Sequence, residues 1–205
     1  MPEGVATRTR GRSQRARILA AALDLMATHG AEGMTMRQLA AACDLNIATL
    51  YHYVGSKSDL LAAIVDQRHY DDGLRDLVLP VDPALPSRDR LARFVTAVAT
   101  ASLGELRLWR LLVGEGLRAD PVARAEARRL AAALDGAVDR WLGELFPELG
   151  VDRAAVTSVV TGQLLATYLE ELLLADDPGA AGAGGSAERI ARRAAATAAV
   201  VFPAP

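Results

Sequence analysis

The sequence predicts an all-α fold in two parts, a small N-terminal three-helix domain of helix-turn-helix type and a larger helical C-terminal domain. Three observations predict it. The chain has 205 residues and is 51% apolar, yet it holds only three Phe, two Trp and four Tyr, with Ala and Leu in the majority. That composition favours helix over sheet. Apolar residues recur at spacings of three and four along most of the chain, the period of an amphipathic helix. Capping residues, glycines and prolines stand at the ends of those periodic runs, where helices start and stop.

Residues 1–12 show no periodicity and carry Arg8, Arg10 and Arg12 at every second position, so they are expected to form a flexible basic arm. Ser13 is placed to cap a first helix through His29, with Ile18, Ala22, Leu25 and Met26 as its stripe and Gly30 as its end. Thr35 and Gln38 form a capping-box pair for a second helix from Met36 to about Ala42. After a turn at Cys43–Asp44–Leu45, Asn46 is an N-cap for a short third helix starting at Ile47. Leu50 and Val54 lie on one face of that helix, and Ile47, Ala48, Tyr51 and His52 lie on another. A helix of two turns is unstable alone, so the first face must be held by neighbours and the second is left to meet a partner. Gly55 ends it, and Ser56 with Asp59 can cap a fourth helix from Lys57 to Leu77 or Leu79.

Pro80, Pro83 and Pro86 exclude helix from the next stretch. Ser87 is expected to cap a helix carrying Leu91, Phe94, Val95 and Val98, broken at Gly104. Leu106, Trp109, Leu112 and Val113 continue at helical spacing. Asp120–Pro121 reads as an N-cap followed by proline at the first helical position, opening a helix that ends before Pro147. Asp152 starts a helix to about Ala175 whose apolar residues nearly encircle it, so it is expected to be buried on more than one side. Pro178 should end it. Residues 179–185 contain only Gly and Ala and read as a flexible loop. Ser186 then caps a last helix with Ile190, Ala194 and Ala198. The expected divisions are an arm at 1–12, a helix-turn-helix domain at 13–62 and a helical domain at 63–205.

The net charge of −2 is unevenly spread. Residues 1–60 hold seven basic and five acidic groups, a balance of +2, and the remainder is acidic by four. The N-terminal quarter therefore suits a polyanion. Of 23 basic residues Lys57 alone is lysine. The single cysteine, Cys43, excludes an intramolecular disulfide and a cysteine-cluster metal site. No metal-ligand spacing or phosphate-cradling glycine loop is visible, so no metal or other cofactor is implied. With no secretory segment and no bilayer-length apolar run, a soluble cytoplasmic protein without a membrane partner is expected.

Thr35-Met-Arg-Gln-Leu-Ala40, followed by Leu45-Asn-Ile-Ala-Thr-Leu-Tyr-His-Tyr-Val-Gly-Ser-Lys-Ser-Asp-Leu-Leu61, resembles the DNA-binding domain of the tetracycline-repressor (TetR) family. The likeness covers about residues 13–62. Ala48 and Val54 depart mildly from the Gly or Pro and the Phe that the family often has there. The resemblance implies a dimeric transcriptional repressor whose C-terminal domain binds a small molecule.

The chemistry of the residues agrees. Lys57, in the first turn of a helix, adds its charge to the positive end of the dipole and suits a DNA phosphate. Thr49 and Tyr53 offer hydroxyls to phosphates. Arg37 can reach guanine O6 and N7, Ile47 and Ala48 a thymine methyl, and Tyr51 and His52 bases or phosphates. Asn46 joins this set as the cap of the reading helix. The arm at Arg8 to Arg12 suits an adjacent minor groove. Phe94, Trp109, Trp141 and Tyr168, first of all core residues, are candidates to line an effector cavity, with Arg110 and Gln163 as polar contacts. The expected function is a repressor on palindromic operator DNA, acting as a homodimer through the helices near 153–175 and 187–202 and released by a small-molecule effector. The alternatives are an activator or a protein-controlled regulator of the same fold, and, remotely, an enzyme.

Overall fold

The computed structural model describes residues 3–67, 74, 77–149, 152–174 and 185–203, with side chains from Ser13 onward except that of residue 58. The helices are α1 (Glu3–Gly33), α2 (Met36–Ala42), α3 (Ile47–Val54), α4 (Lys57–Gln67), α5 (Ser87–Ser102), α6 (Leu106–Leu117), α7 (Pro121–Leu145), α8 (Arg153–Leu174) and α9 (Ser186–Val201). A 3-10 turn, Leu103–Glu105, separates α5 from α6. Two compact units result. One comprises residues 1–70 with 107–130, the other 71–106 with 131–205.

The first unit is built on α1. Ile18, Leu19, Ala22, Leu23 and Met26 are buried against Leu39 of α2, Leu50 and Val54 of α3, and Leu60, Leu61, Ile64 and Val65 of α4. Leu108, Leu111 and Leu112 of α6 and Ala123 and Leu130 of α7 complete that core. The compact unit that holds the helix-turn-helix therefore also includes residues 107–130. The physical cause is the apolar row of α6, which finds its covered surface there. Salt bridges join Arg107 to Asp24 and, at 3.1 Å, Arg129 to Asp66.

Three local expectations are revised. Residues 3–12 are helical, so α1 begins ten residues before Ser13. A helix already nucleated by a packed core extends outward at the small cost of propagation. The expected close at Gly30 does hold in the backbone, since Gly30 has φ 75 and ψ 161 inside the helical span. The fourth helix is described only to Gln67, and residues 77–79 are irregular. Its expected course through 68–73 and 75–76, like the stop at Pro178 and the 179–185 loop up to position 184, lies outside the described residues. Pro86, not Ser87, is the N-cap of α5, and the Ser87 hydroxyl, inside the helix, donates to Glu148 at 2.6 Å.

In the second unit, Phe94 meets Trp141 and Phe146 edge-on, with ring centroids 6.0 and 6.3 Å apart. Phe146 stacks on Phe202. Arg90 lies over the Phe146 ring, 4.9 Å from its centroid, and pairs with Glu148. α9 packs on α5 and α8. Arg189 of α9 forks onto Glu171 of α8 with contacts of 2.9 to 3.1 Å, both side chains largely buried. A pair taken this far from water needs such bidentate geometry to offset its desolvation.

α8 is not buried all round within one chain. Val156, Val160, Leu164 and Tyr168 face the core. Ala155, Val159, Gly162, Ala166, Leu169 and Leu173 remain exposed, at alternating spacings of four and three. Leu173 is 74% exposed. Beside this row α9 leaves Ala195, Ala196 and Val200 exposed. Among the described residues no helix is long and apolar enough to cross a membrane.

Candidate nucleic-acid interface

The site is assembled from three capped helix starts. Thr35 accepts from Gln38 N at 3.2 Å while its own N–H donates to Gln38 Oε1 at 2.8 Å, which closes the capping box of α2. The turn after α2 places Asp44 at φ 55, a left-handed conformation that Asp tolerates better than most residues. Leu45 N then donates to Ala40 O at 2.9 Å. Asn46 Oδ1 accepts from Thr49 N at 2.8 Å and fixes the start of α3. Gly55, at φ 64, ends it.

α3 is held by Leu50, fully buried, and Val54. Ile47 and Tyr51 are 40% and 49% exposed, and Asn46, Ala48 and His52 are exposed with them. Thr49 and Tyr53 are half-buried, and Arg37 on α2 is exposed. The His52 ring sits edge-on to Tyr53 at 5.8 Å, which limits the freedom of both. The structure thus brings Asn46 to Tyr53 together on one short element, with Arg37 on the helix before it.

Lys57 opens α4. Ser56 and Asp59 form the box before it, with Ser56 N donating to Asp59 Oδ2 at 2.9 Å and Asp59 N to Ser56 Oγ at 3.3 Å. The Ser56 hydroxyl and amide hold the Asp59 carboxyl below its usual range. The Lys57 ammonium donates to the Glu32 carbonyl oxygen at 2.9 Å, a contact that the sequence reading missed. It uses one of the three N–H donors of the group. Burial pushes the Cys43 thiol up, against the pull of Arg17, so the thiolate that redox chemistry needs is disfavoured.

The six residues expected around an effector are divided between the two units. Trp109 packs on the core of the first unit, and Arg110 shares its helix. Phe94, Trp141 and Tyr168 are buried in the second unit, where Gln163 is half-buried and donates to Thr167 Oγ1 at 3.4 Å. An open, largely apolar groove of about 630 Å³ lies elsewhere in the second unit. Its borders include Leu77, Leu79, Arg93, Ala97, Ala101 and Ala191, and none of the six. The periodicity of α5 marks only its inward residues, so the outward Arg93 and Ala97 carried no signal. Among the described residues no cluster of three His, Cys, Asp or Glu could hold a metal.

Residues 18–64 match the family described as bacterial regulatory proteins, tetR family. The HTH-type transcriptional repressor SCO4008 of Streptomyces coelicolor is 30% identical over 130 residues, which are 60% of this chain and 64% of that protein. The matched region thus spans less than two thirds of the relative's length. Among solved structures, reduced E. coli NemR aligns with a TM-score of 0.67 at 18% identity, covering 94% of this chain and 99% of that one. Salmonella enterica GusR aligns at 0.63 and 21%, covering 94% and 96%. AibR, solved with isovaleryl coenzyme A and operator DNA, aligns at 0.56 and 20%, covering 93% and 98%.

Proposed function

We propose that this chain, which belongs to the tetR family of bacterial regulatory proteins, represses transcription by binding palindromic operator DNA as a homodimer and leaves the operator when a small molecule binds. The split character of α3 carries the reading. Its Leu50 and Val54 face is committed to the core, while Ile47, Ala48, Tyr51 and His52 have no such commitment. A helix so held can enter the major groove and read base edges. Arg37 suits guanine, Ile47 and Ala48 a thymine methyl, and Thr49, Tyr53 and Lys57 the flanking phosphates.

The exposed row on α8 supports the dimer. Alternating spacings of four and three form the seam of packed helix pairs, and the small residues at 155, 162 and 166 would let a symmetry mate approach closely. Two reading helices would then have to stand about 34–36 Å apart to enter successive major grooves. An effector releases DNA if it binds a dimer with another spacing more tightly. The apolar groove of the second unit is a fitting place for a largely apolar effector. AibR is a protein of this fold solved with both an acyl coenzyme A and operator DNA, which supports the pairing of the two ligands here. Membership of a family of transcriptional regulators sets aside the enzyme alternative.

The test is fluorescence anisotropy on an operator selected from a random palindromic library. Lys57→Ala and Tyr53→Phe should weaken binding to all sequences alike. For Lys57→Ala the slope of log affinity against log salt should shrink by about 0.9 per protomer. Wild-type affinity and slope in both variants would remove these roles.

A further inference from the structure

Gly30 interrupts α1 with its positive φ, and a new helical turn follows, closed by Met34 N donating to Gly30 O at 3.2 Å. The first amide of such a turn has no acceptor within the helix. Here the acceptor comes from far along the chain. Ala31 N donates to Glu115 Oε1 at 2.8 Å. Glu115 is buried, with a side chain only 5% exposed, and Arg118 Nη1 reaches the same oxygen at 3.1 Å. A Cβ on Gly30 would stand 3.3 Å from that oxygen, so the carboxylate is pressed against the turn. The next residue, Glu32, offers its carbonyl to the Lys57 ammonium. The turn is therefore anchored on an anion at its start and gives its carbonyl to a cation, the arrangement that a peptide dipole favours. Glu32, Lys57, Glu115 and Arg118 also border one cavity of about 390 Å³. Packing on that side leaves space beside the lysine, and hydrogen bonds have to hold it.

We propose that Glu115 is the positioning residue of Lys57: it fixes the 31–33 turn, and the turn holds the ammonium at the start of α4, where a phosphate is to be met. The proposal rests on the reading of Lys57 as a phosphate contact. Glu115 touches no DNA in this scheme and acts through Ala31 and Glu32.

Two readouts test it on the full-length protein. The first needs no DNA. Lys57 is the one lysine of the chain, so its acylation by a succinimidyl ester can be followed by peptide mass. Glu115→Ala and Glu115→Asp, whose acceptors are absent or withdrawn, should speed that acylation at least threefold. Glu115→Gln keeps an oxygen for Ala31 N–H and should react as the native protein does. The second readout is operator binding across 50–200 mM salt, roughly the range over which phosphate contacts are lost. Glu115→Ala and Glu115→Asp should shrink the salt slope as Lys57→Ala does, Glu115→Gln should restore it, and Glu115→Ala with Lys57→Ala should lose no more than Lys57→Ala alone. If Glu115→Ala does not fold, the Asp and Gln variants carry both readouts. Native acylation rates in the Ala and Asp variants would overturn the proposal, as would native salt slopes or an additive double variant. A native slope in Lys57→Ala itself would instead overturn the phosphate reading, and with it the second half of the proposal.

Discussion

Tyr168 carries a hydroxyl into the core of the second unit, beside Ser102, and burial pushes it up to about 12. The group ordinarily titrates near pH 10 in an unfolded chain. A pKa raised in the folded state contributes stability that is fully present below the unfolded value and is lost as pH rises through the folded one. Stability should thus fall between pH 10 and 12 by about 2–3 kcal/mol from this residue alone. Tyr168→Phe should flatten that limb of a urea-denaturation series run against pH, and an unchanged limb would show that the hydroxyl is better solvated than its burial indicates. At this scale the caps that shape the candidate interface were legible. Thr35 with Gln38, Ser56 with Asp59, and Asn46 act over three residues, and a sequence displays such spacings directly. Glu115 was not legible as a partner of Ala31, because 84 positions separate them and nothing in the surroundings of either points to the other.

At the scale of the element, α8 shows what periodicity can and cannot convey. Its apolar residues were read correctly as too many for one face. Which of them would be covered within the chain depended on α5 and α9, whose packing a sequence does not display. Those left exposed form the row from Ala155 to Leu173. Charges placed in a packed helix seam are costly when left unpaired. Leu169→Glu with Leu173→Glu should therefore convert a dimer to monomer at micromolar concentration, with helix content unchanged. Sedimentation velocity measures this, and a native protein already monomeric there would dismiss the seam. The start of α1 failed for another reason. Ser13 is a sound cap in isolation, but a cap only competes with continuation, and a helix with a buried stripe from Ile18 to Met26 tilts that competition toward continuation.

At the scale of the whole molecule, charge and fold point the same way, since the basic quarter of the chain is the part that carries α2 and α3. The division at residue 62 followed the helix-turn-helix pattern, whereas the packing follows apolar area and brings 107–130 into the first unit. A fragment ending at Tyr70 would expose the side of the core that Leu108, Leu111 and Leu112 cover. It should melt without a cooperative transition by circular dichroism, whereas the full chain should melt sharply, and a sharp melt of the fragment would show that α1 to α4 suffice.

This discontinuity also sets an order of events during translation. The reading helices leave the ribosome first, but the core beneath them closes only when Leu130 has followed. For the intervening 76 residues of synthesis, from Val54 to Leu130, α3 lacks part of its support, so a nascent chain carries the recognition sequence before it can hold it in shape. DNA recognition is encoded early and completed late.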